Sequence, residues 1–231
     1  MTPTTLEYSL FEAETEARLI YLPERPMTFD EFLDAFSSKD DVELVNGVPQ
    51  QRIAAQLDHE NLYAFLFTLL NLYADTNALG KMYGSRTAVR ISEHGVRLPD
   101  LLFIRSENVA RIEQRGIRFT PDLVIEIISP GDRPSEQLVL EADYRSIGVP
   151  EIVLVDRRRG RVRILRLQQT EDADNESAAP RYNEETLAVG DSALRLHSLG
   201  NINLPVEWLL TESRPNLVAA LAQLTAEENQ A

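Results

Sequence analysis

Three acidic residues stand inside or beside hydrophobic stretches of the sequence. Glu126 interrupts the apolar run LVIEIIS, Asp100 follows Pro99 and leads directly into LLFI, and Glu43 opens the run ELV. An ionised carboxylate in apolar surroundings costs several kcal/mol unless a metal ion or a cationic partner compensates for it. Two or three carboxylates that converge from different strands form a hard oxygen site, which suits Mg²⁺ or Mn²⁺ better than Zn²⁺.

Each acid also has a simpler explanation. A salt bridge to one of the many arginines, or a strand-edge position that faces water, would equally account for a single carboxylate. For Glu43 this explanation is as good as a functional one, whereas Asp100 and Glu126 each break an otherwise apolar run. The residues alone therefore leave both interpretations open.

The composition narrows the class of protein. The 231 residues are 43% hydrophobic and 26% charged, which is typical of a globular chain and excludes wholesale disorder. The absence of cysteine excludes disulfides, thiolate zinc sites and cysteine nucleophiles. The formal net charge of −14 excludes nucleic-acid binding through bulk charge, so that any such contact must be local. There is no glycine-rich phosphate loop and no GxSxG elbow.

The location of the protein is also predicted from the sequence. The N-terminal residues lack the pattern of a signal peptide. No apolar run reaches the roughly 18 residues that a membrane helix requires. We therefore expect a soluble cytoplasmic protein with no membrane contact.

Two short elements precede the long helix of the chain. Thr28 and Glu31 form a capping-box pattern that predicts a helix to about Phe36. Two alternating runs then flank Asn46-Gly47, which is typical of a tight hairpin turn. Glu43 lies on the first strand of this hairpin.

The central part of the chain alternates helices and strands. Apolar residues three and four apart predict one amphipathic helix from Asp58 to Gly80. Asp100 then stands at the entrance of a buried strand, and Glu126 lies in a strand whose continuous apolar run indicates cover on both faces. The segment 134–148 predicts a crossover helix between strands.

These elements predict one α/β domain with a central mixed sheet, helices on both faces and peripheral hairpins. We expect an N-terminal arm over residues 1–26, with an extra strand around Leu19–Leu22, and a domain over residues 27–211. Within that domain, residues 168–186 are acidic and rich in Ser, Asn and Ala, which predicts a mobile loop. Residues 212–231 are expected to form a helical tail.

Several segments of the chain carry a resemblance to a known family. They are ELVNG, RLPDLLFI, PDLVIEIISPGDRP, YRSIGVPEIVLVD and LPVEWLL, in this order. Together they resemble the PD-(D/E)XK nuclease superfamily, and within it the Uma-type group of bacterial restriction endonucleases, over about Pro26 to Leu210. The resemblance implies a restriction-endonuclease-like core and a metal-dependent endonuclease that hydrolyses phosphodiester bonds of DNA.

The resemblance also implies roles for individual residues. Asp100 and Glu126 are the expected ligands of Mg²⁺ or Mn²⁺, the main-chain carbonyl of Ile127 is a further ligand, and Glu43 is an expected helper. The family has a catalytic lysine four residues before the position of Tyr144. The present chain has Leu140 there and Ile128 at the older lysine position on the strand.

The missing lysine leaves two functions open. In the first, another cation replaces it and the enzyme is active; Lys81 is the candidate, and Arg86, Arg90, Arg133 and Arg145 are alternatives that supply charge but are poor bases. In the second, the chain is a catalytically degenerate binding protein with the nuclease fold. Exposed hairpins and a sheet edge are compatible with a twofold homodimer.

Two further features have competing interpretations. His59 opens the long helix near a histidine of the family, but a capping or solvated role is the more common one for such a residue. An arginine-rich hairpin follows the buried run EIVLVD, and it would steer a DNA backbone or, as we favour, balance acids such as Glu171 and Asp172. Its candidate DNA-binding residues are Arg157, Arg158, Arg159, Arg161 and Arg163.

Overall fold

A computed structural model describes residues 7–11, 18–37, 39–52, 56–168, 179–191 and 193–228. The helices are α1 (Phe29–Ala35), α2 (Leu57–Thr76), α3 (Pro134–Ser146), α4 (Val206–Leu210) and α5 (Leu217–Glu228). The strands are β1 (Glu7–Phe11), β2 (Arg18–Leu22), β3 (Val42–Val45), β4 (Val48–Gln51), β5 (Gly80–Gly84), β6 (Val89–Ser92), β7 (Gly95–Arg97), β8 (Leu101–Arg105), β9 (Leu123–Ile127), β10 (Glu151–Asp156), β11 (Arg161–Leu167), β12 (Tyr182–Ala188), β13 (Leu194–Leu196) and β14 (Ile202–Leu204).

A six-stranded mixed sheet forms the centre of the molecule, in the order β12-β11-β10-β9-β8-β5. β9 and β10 are parallel and are connected by α3, while the other neighbours are antiparallel. Leu101 and Phe103 of β8 pack with α2 on one face, whereas Leu102 and Ile104 pack with Tyr144 of α3 on the other. The predicted α/β architecture with helices on both faces of a mixed sheet is confirmed.

A second, antiparallel sheet has the order β1-β2-β4-β3-β7-β6. Phe29 and Phe32 of α1 pack on its inner residues, among them Val42 and Val96. The predicted turn joins β3 to β4, and there Asn46 has a φ angle of 50° and Gly47 a φ angle of 78°. The expected capping box is also present at the start of α1.

The chain passes from the second sheet to the central sheet over a very short distance. β7 ends at Arg97 and β8 begins at Leu101, so that Leu98, Pro99 and Asp100 form the whole connection. This crossing brings the start of β3 and the end of β7 close to the start of β8 and the end of β9. All three acids singled out in the sequence lie at this junction.

Several predicted boundaries are wrong. α2 ends at Thr76, and Gly80 begins β5. The predicted acidic loop is shorter than expected, because Tyr182–Ala188 pairs along β11 as a strand held by cross-strand ion pairs such as Arg163–Glu184; residues 169–178 lie outside the described part of the chain.

Described segments near both ends of the chain pack or pair with the rest of the fold. The strand expected around Leu19–Leu22 is present as β2. The predicted C-terminal tail contains α5, whose Ala220 and Leu224 are buried in the same core as α2. None of the helices in the described ranges combines the length and the hydrophobicity that a membrane span requires.

Candidate functional site

Asp100 and Glu126 meet at the bottom of a cleft between the two sheets. Their residues are 2% and 5% exposed. The N–H of Ile127 donates to Asp100 Oδ2 at 2.9 Å, and the N–H of Asp100 donates to Glu126 Oε2 at 3.4 Å. Ile125 and Ile127 pack toward α2, so the alternation of β9 directs Glu126 to the opposite face. The two acids therefore meet because the start of β8, which follows Asp100, lies beside the end of β9, which carries Glu126.

Arg52, directly after β4, is the cation that reaches this pair. Its Nη2 lies 2.9 Å from Asp100 Oδ1, and its Nη1 donates to the carbonyl oxygens of Leu98 at 2.8 Å and Ser85 at 3.2 Å. Burial alone would lower the pKa of Arg52, but the charges of the surrounding acids outweigh it and raise the pKa. Sequence reasoning missed this residue; the available signal was its place at the end of the hairpin that carries Glu43.

Arg97 of β7 fixes the third acid. Its Nη1 lies 2.8 Å from Glu43 Oε2, and its other nitrogens bond Asp143 of α3 at 2.7 Å. The N–H of Leu98 donates to Glu43 Oε1 at 2.9 Å. Glu43 is thus held beside the cleft by an ion pair and a backbone hydrogen bond, so the salt bridge offered as its simpler explanation is present.

His59 of α2 is part of the site. Its Nε2 lies 3.0 Å from Asp100 Oδ2, and the residue is 7% exposed. The expectation of a capping or solvated histidine is wrong, because the first turn of α2 packs over the start of β8. Burial lowers the pKa of His59, but the hydrogen bond and charge of Asp100 dominate, and the pKa is raised.

The two buried carboxyls differ in their affinity for a proton. Burial and then the charge of Asp100 raise the pKa of Glu126 well above its usual range. Burial also tends to raise the pKa of Asp100, but the hydrogen bond from His59 and the charge of Arg52 outweigh it, so the pKa of this carboxyl is lowered. Tyr144 donates its hydroxyl to Glu126 Oε1 at 2.6 Å and is itself fully buried, which raises its pKa. Asp100 is therefore the more acidic member of the pair.

Lys81 does not reach the cleft. Its Nζ pairs with Asp75 at 2.7 Å on the exposed side of α2, and its backbone lies opposite Ile104, four residues along β8 from Asp100. The proposed substitution of the lysine by Lys81 is therefore wrong. The cleft lining in the described part of the chain also includes none of the alternative arginines Arg86, Arg90, Arg133 and Arg145.

Leu140 does line the cleft, as the lysine of the family would. It lies on the face of α3 that also presents Gln137 and Tyr144 toward β9. Leu140 borders the same cleft as Glu126, but leucine brings no charge.

The side chains along the cleft are of the chemical type that binds a hard divalent cation, because most of the charged ones are carboxylates. Carboxylates outnumber guanidiniums along the cleft, and Glu126 has no ion-pair partner among the described residues. Oxygen ligands of this type are those that Mg²⁺ and Mn²⁺ prefer. No group of three histidine, cysteine, aspartate or glutamate side chains in the described ranges is placed so that it could hold a metal ion. The acids of the cleft lining are Glu43, Asp100, Glu126, Asp132 and Glu136, and its cations are Arg52 and Arg97.

The arginine-rich hairpin is largely neutralised by nearby acids. As expected, its arginines alternate with the buried Val162 and Ile164 along β11. The predicted partners Glu171 and Asp172 lie outside the described residues. Arg158 is exposed and has no side-chain partner within the described part of the chain. The pairs are Arg157 with Glu212, Arg159 and Arg161 with Asp156, and Arg163 with Glu141 and Glu184.

Comparison with solved structures confirms the fold. The chain is similar to a putative nuclease belonging to DUF820 from Anabaena variabilis, with a TM-score of 0.65 and 19% sequence identity. The match covers 80% of this chain and 98% of the other. No curated protein matches the sequence.

The sequence itself matches a family over most of its length. Residues 29–199 match the family described as "Uma2: Putative restriction endonuclease". This range includes the acids, the cations and the tyrosine of the cleft. The chain, with a nuclease-like fold built around a buried pair of carboxylates, therefore belongs to the Uma2 family of restriction-endonuclease-like proteins.

Proposed function

We propose that the protein is a divalent-metal-dependent endonuclease that hydrolyses phosphodiester bonds of DNA in the cleft between Asp100 and Glu126. The observation that carries the proposal is that two buried carboxylates lie together and that one of them, Asp100, pairs with the half-buried Arg52 at 2.9 Å. A cleft that served only stability would gain little from such an arrangement, because buried ion pairs seldom repay their desolvation. Perturbed and paired ionisable groups in a cleft are typical of functional sites.

Asp100, Glu126 and the carbonyl of Ile127 would hold Mg²⁺ or Mn²⁺. When bound, the cation supplies Lewis acidity at a phosphate oxygen and lowers the pKa of a coordinated water. Carboxylates outnumber arginines along the cleft, and a bound cation would offset part of their repulsion of a phosphodiester. His59 and Tyr144 orient the two acids through the hydrogen bonds described above.

Arg52 takes over the charge of the missing lysine. Its planar guanidinium stays protonated at every accessible pH, so it offsets negative charge and does not act as a base. The two carbonyl oxygens of Leu98 and Ser85 fix its orientation toward Asp100. In this respect the site departs from the family pattern, in which a lysine on the helix before Tyr144 provides the cation.

A catalytically degenerate binding protein is the second candidate. It is favoured by Leu140, which lines the cleft at the lysine position. In that case the buried acids and Arg52 would maintain the cleft as a binding surface without hydrolysis.

Cleavage assays separate the two candidates. Supercoiled plasmid and single-stranded DNA are incubated over a Mg²⁺ and Mn²⁺ series with the native protein, Asp100→Asn, Glu126→Gln and Leu140→Lys. Glu185→Gln on exposed β12 is the matched acid-to-amide control. Cleavage by the native protein and the control, lost in Asp100→Asn and Glu126→Gln, supports the endonuclease. Activity that appears only in Leu140→Lys supports the degenerate protein, and full activity in Asp100→Asn refutes the proposed site.

Metal binding provides a readout that does not depend on turnover. Titration of Mn²⁺ followed by electron paramagnetic resonance counts the bound ion directly. We expect binding to the native protein and to Glu185→Gln, and its loss in Asp100→Asn and Glu126→Gln.

A further inference from the structure

A second depression adjoins the cleft and shares one wall with it. This depression, which we call the side groove, has a volume of about 280 Å³, just below the roughly 300–1,000 Å³ typical of small-molecule sites. Four residues border both the cleft and the side groove, so a ligand seated at Glu126 continues directly into it. The shared residues are Gln56, His59, Ile127 and Ile128.

The walls of the side groove are of two kinds. Ile128, Pro130 and Leu210 form an apolar part, while Gln56 and Asp58 supply polar groups where the chain enters α2. Flat aromatic ligands such as nucleobases combine an apolar face with hydrogen-bonding edges. The walls therefore match the two surfaces of a base.

One of the two arginines of the side groove is not neutralised by a described acid. Arg157 lines it but is paired with Glu212, and Asp58 contributes an acid. Arg158 also lines it, is exposed, and has no side-chain partner among the residues that the structure describes. On a protein with a net charge of −14, a guanidinium that is not neutralised is a place where a phosphate is attracted locally.

We propose that the side groove binds one nucleotide of a single DNA strand that continues from the cleft, with the base against Ile128, Pro130 and Leu210 and a phosphate at Arg158. This inference rests on the proposed function, since it assigns a substrate class to the same site. A base in a duplex is stacked and paired, and it enters such a pocket only after it leaves the helix, which costs a few kcal/mol. The preferred substrate is therefore single-stranded or frayed DNA.

The phosphate contact is tested by binding in EDTA, where no cleavage occurs. The probe is a fluorescein-labelled oligothymidylate of about 15 nucleotides, followed by fluorescence anisotropy. We expect Arg158→Glu to raise the Kd about tenfold and to reduce the salt dependence of log Kd by about 0.7. Arg195→Glu, on an exposed arginine of β13 outside the side groove, carries the same charge change and is expected to alter the Kd less than about twofold.

The base contact is tested with a second probe. An abasic oligodeoxyribose phosphate of the same length has the charge of the first probe but no bases. We expect Ile128→Ser to weaken binding of oligothymidylate about fivefold and to leave binding of the abasic probe unchanged, because the substitution removes apolar surface that the base would cover. Circular dichroism verifies that the variants are folded.

Three outcomes would overturn the inference. They are equal effects of Arg158→Glu and Arg195→Glu, equal effects of Ile128→Ser on both probes, and absence of oligonucleotide binding by the native protein. Because the assay contains no metal, it is independent of hydrolysis. Binding that depends on Arg158 in a protein without cleavage would support the groove and refute the endonuclease, and cleavage with no Arg158 dependence would do the reverse.

Discussion

Replacement of Arg52 by methionine tests whether this residue is the charge partner of the buried acids. The substitution removes the guanidinium and keeps an unbranched stem. Loss of one partner of a buried ion pair costs about 3–5 kcal/mol. Because 25% of the Arg52 side chain is exposed, we expect the free energy of unfolding to fall by about 3 kcal/mol, at the lower end of that range.

The assay is urea denaturation of a double-mutant cycle. Arg52→Met, Asp100→Asn and the double variant are compared with the native protein. The bond from Arg52 to Asp100 joins two charged groups, so the coupling energy is expected to be about 2 kcal/mol. Arg105→Met serves as the control, because Arg105 pairs with Asp122 at the surface at 3.5 Å and its loss should cost less than about 1 kcal/mol.

An additive cycle would refute the reasoning. If the coupling energy were below about 0.5 kcal/mol, the effect of Arg52→Met would come from its bonds to carbonyl oxygens and not from Asp100. The cation of the site would then have to be sought elsewhere.

Three further substitutions test other parts of the structure. Tyr144→Phe leaves one oxygen of buried Glu126 without its hydroxyl donor and should cost about 1–3 kcal/mol in urea denaturation; an unchanged midpoint would contradict the hydrogen bond. Gly80→Ala places a Cβ against the carbonyl oxygen of Ile104 on the adjacent strand and should lower stability by about 1–3 kcal/mol by the same measurement, whereas a neutral effect would disprove the close approach. The ion pair with Arg25 and the backbone of the helix cap lower the pKa of Glu31 to about 2, so its contribution is present at neutral pH and is lost as the pH falls toward 2. Thermal unfolding should therefore show that Glu31→Gln lowers Tm at pH 7 and that the difference from the native protein shrinks in acid; a difference independent of pH would count against the ion pair.

The acids of the site could be predicted from the sequence because the pattern that indicates them lies in the residues next to them. A carboxylate inside an apolar run, as at Glu126, indicates burial and hence compensation without any knowledge of the fold. The hairpin turn at Asn46-Gly47 and the capping box of α1 are likewise set by adjacent residues.

The partners of these acids were not accessible, since they come from distant parts of the chain. Arg52 and His59 contact Asp100 across 48 and 41 positions. The sequence indicates only that one follows a hairpin and the other opens a helix, and it does not specify that they meet at Asp100. Lys81 was a candidate because it starts the strand beside the long helix, but the direction of its side chain, toward Asp75, is not recorded in the sequence. β12 was mistaken for a loop because its polar residues bury little surface and instead pair with the arginines of β11.

The connection Leu98-Pro99-Asp100 determines where the chain can change in length. Side chains alternate between the two faces of a strand, so one inserted or deleted residue here would turn either Arg97 or Asp100 away from the cleft. In surface loops, inserted or deleted residues change the free energy of folding only slightly. In the natural variation of this protein, insertions and deletions should therefore accumulate in surface loops and spare the segment between β7 and β8.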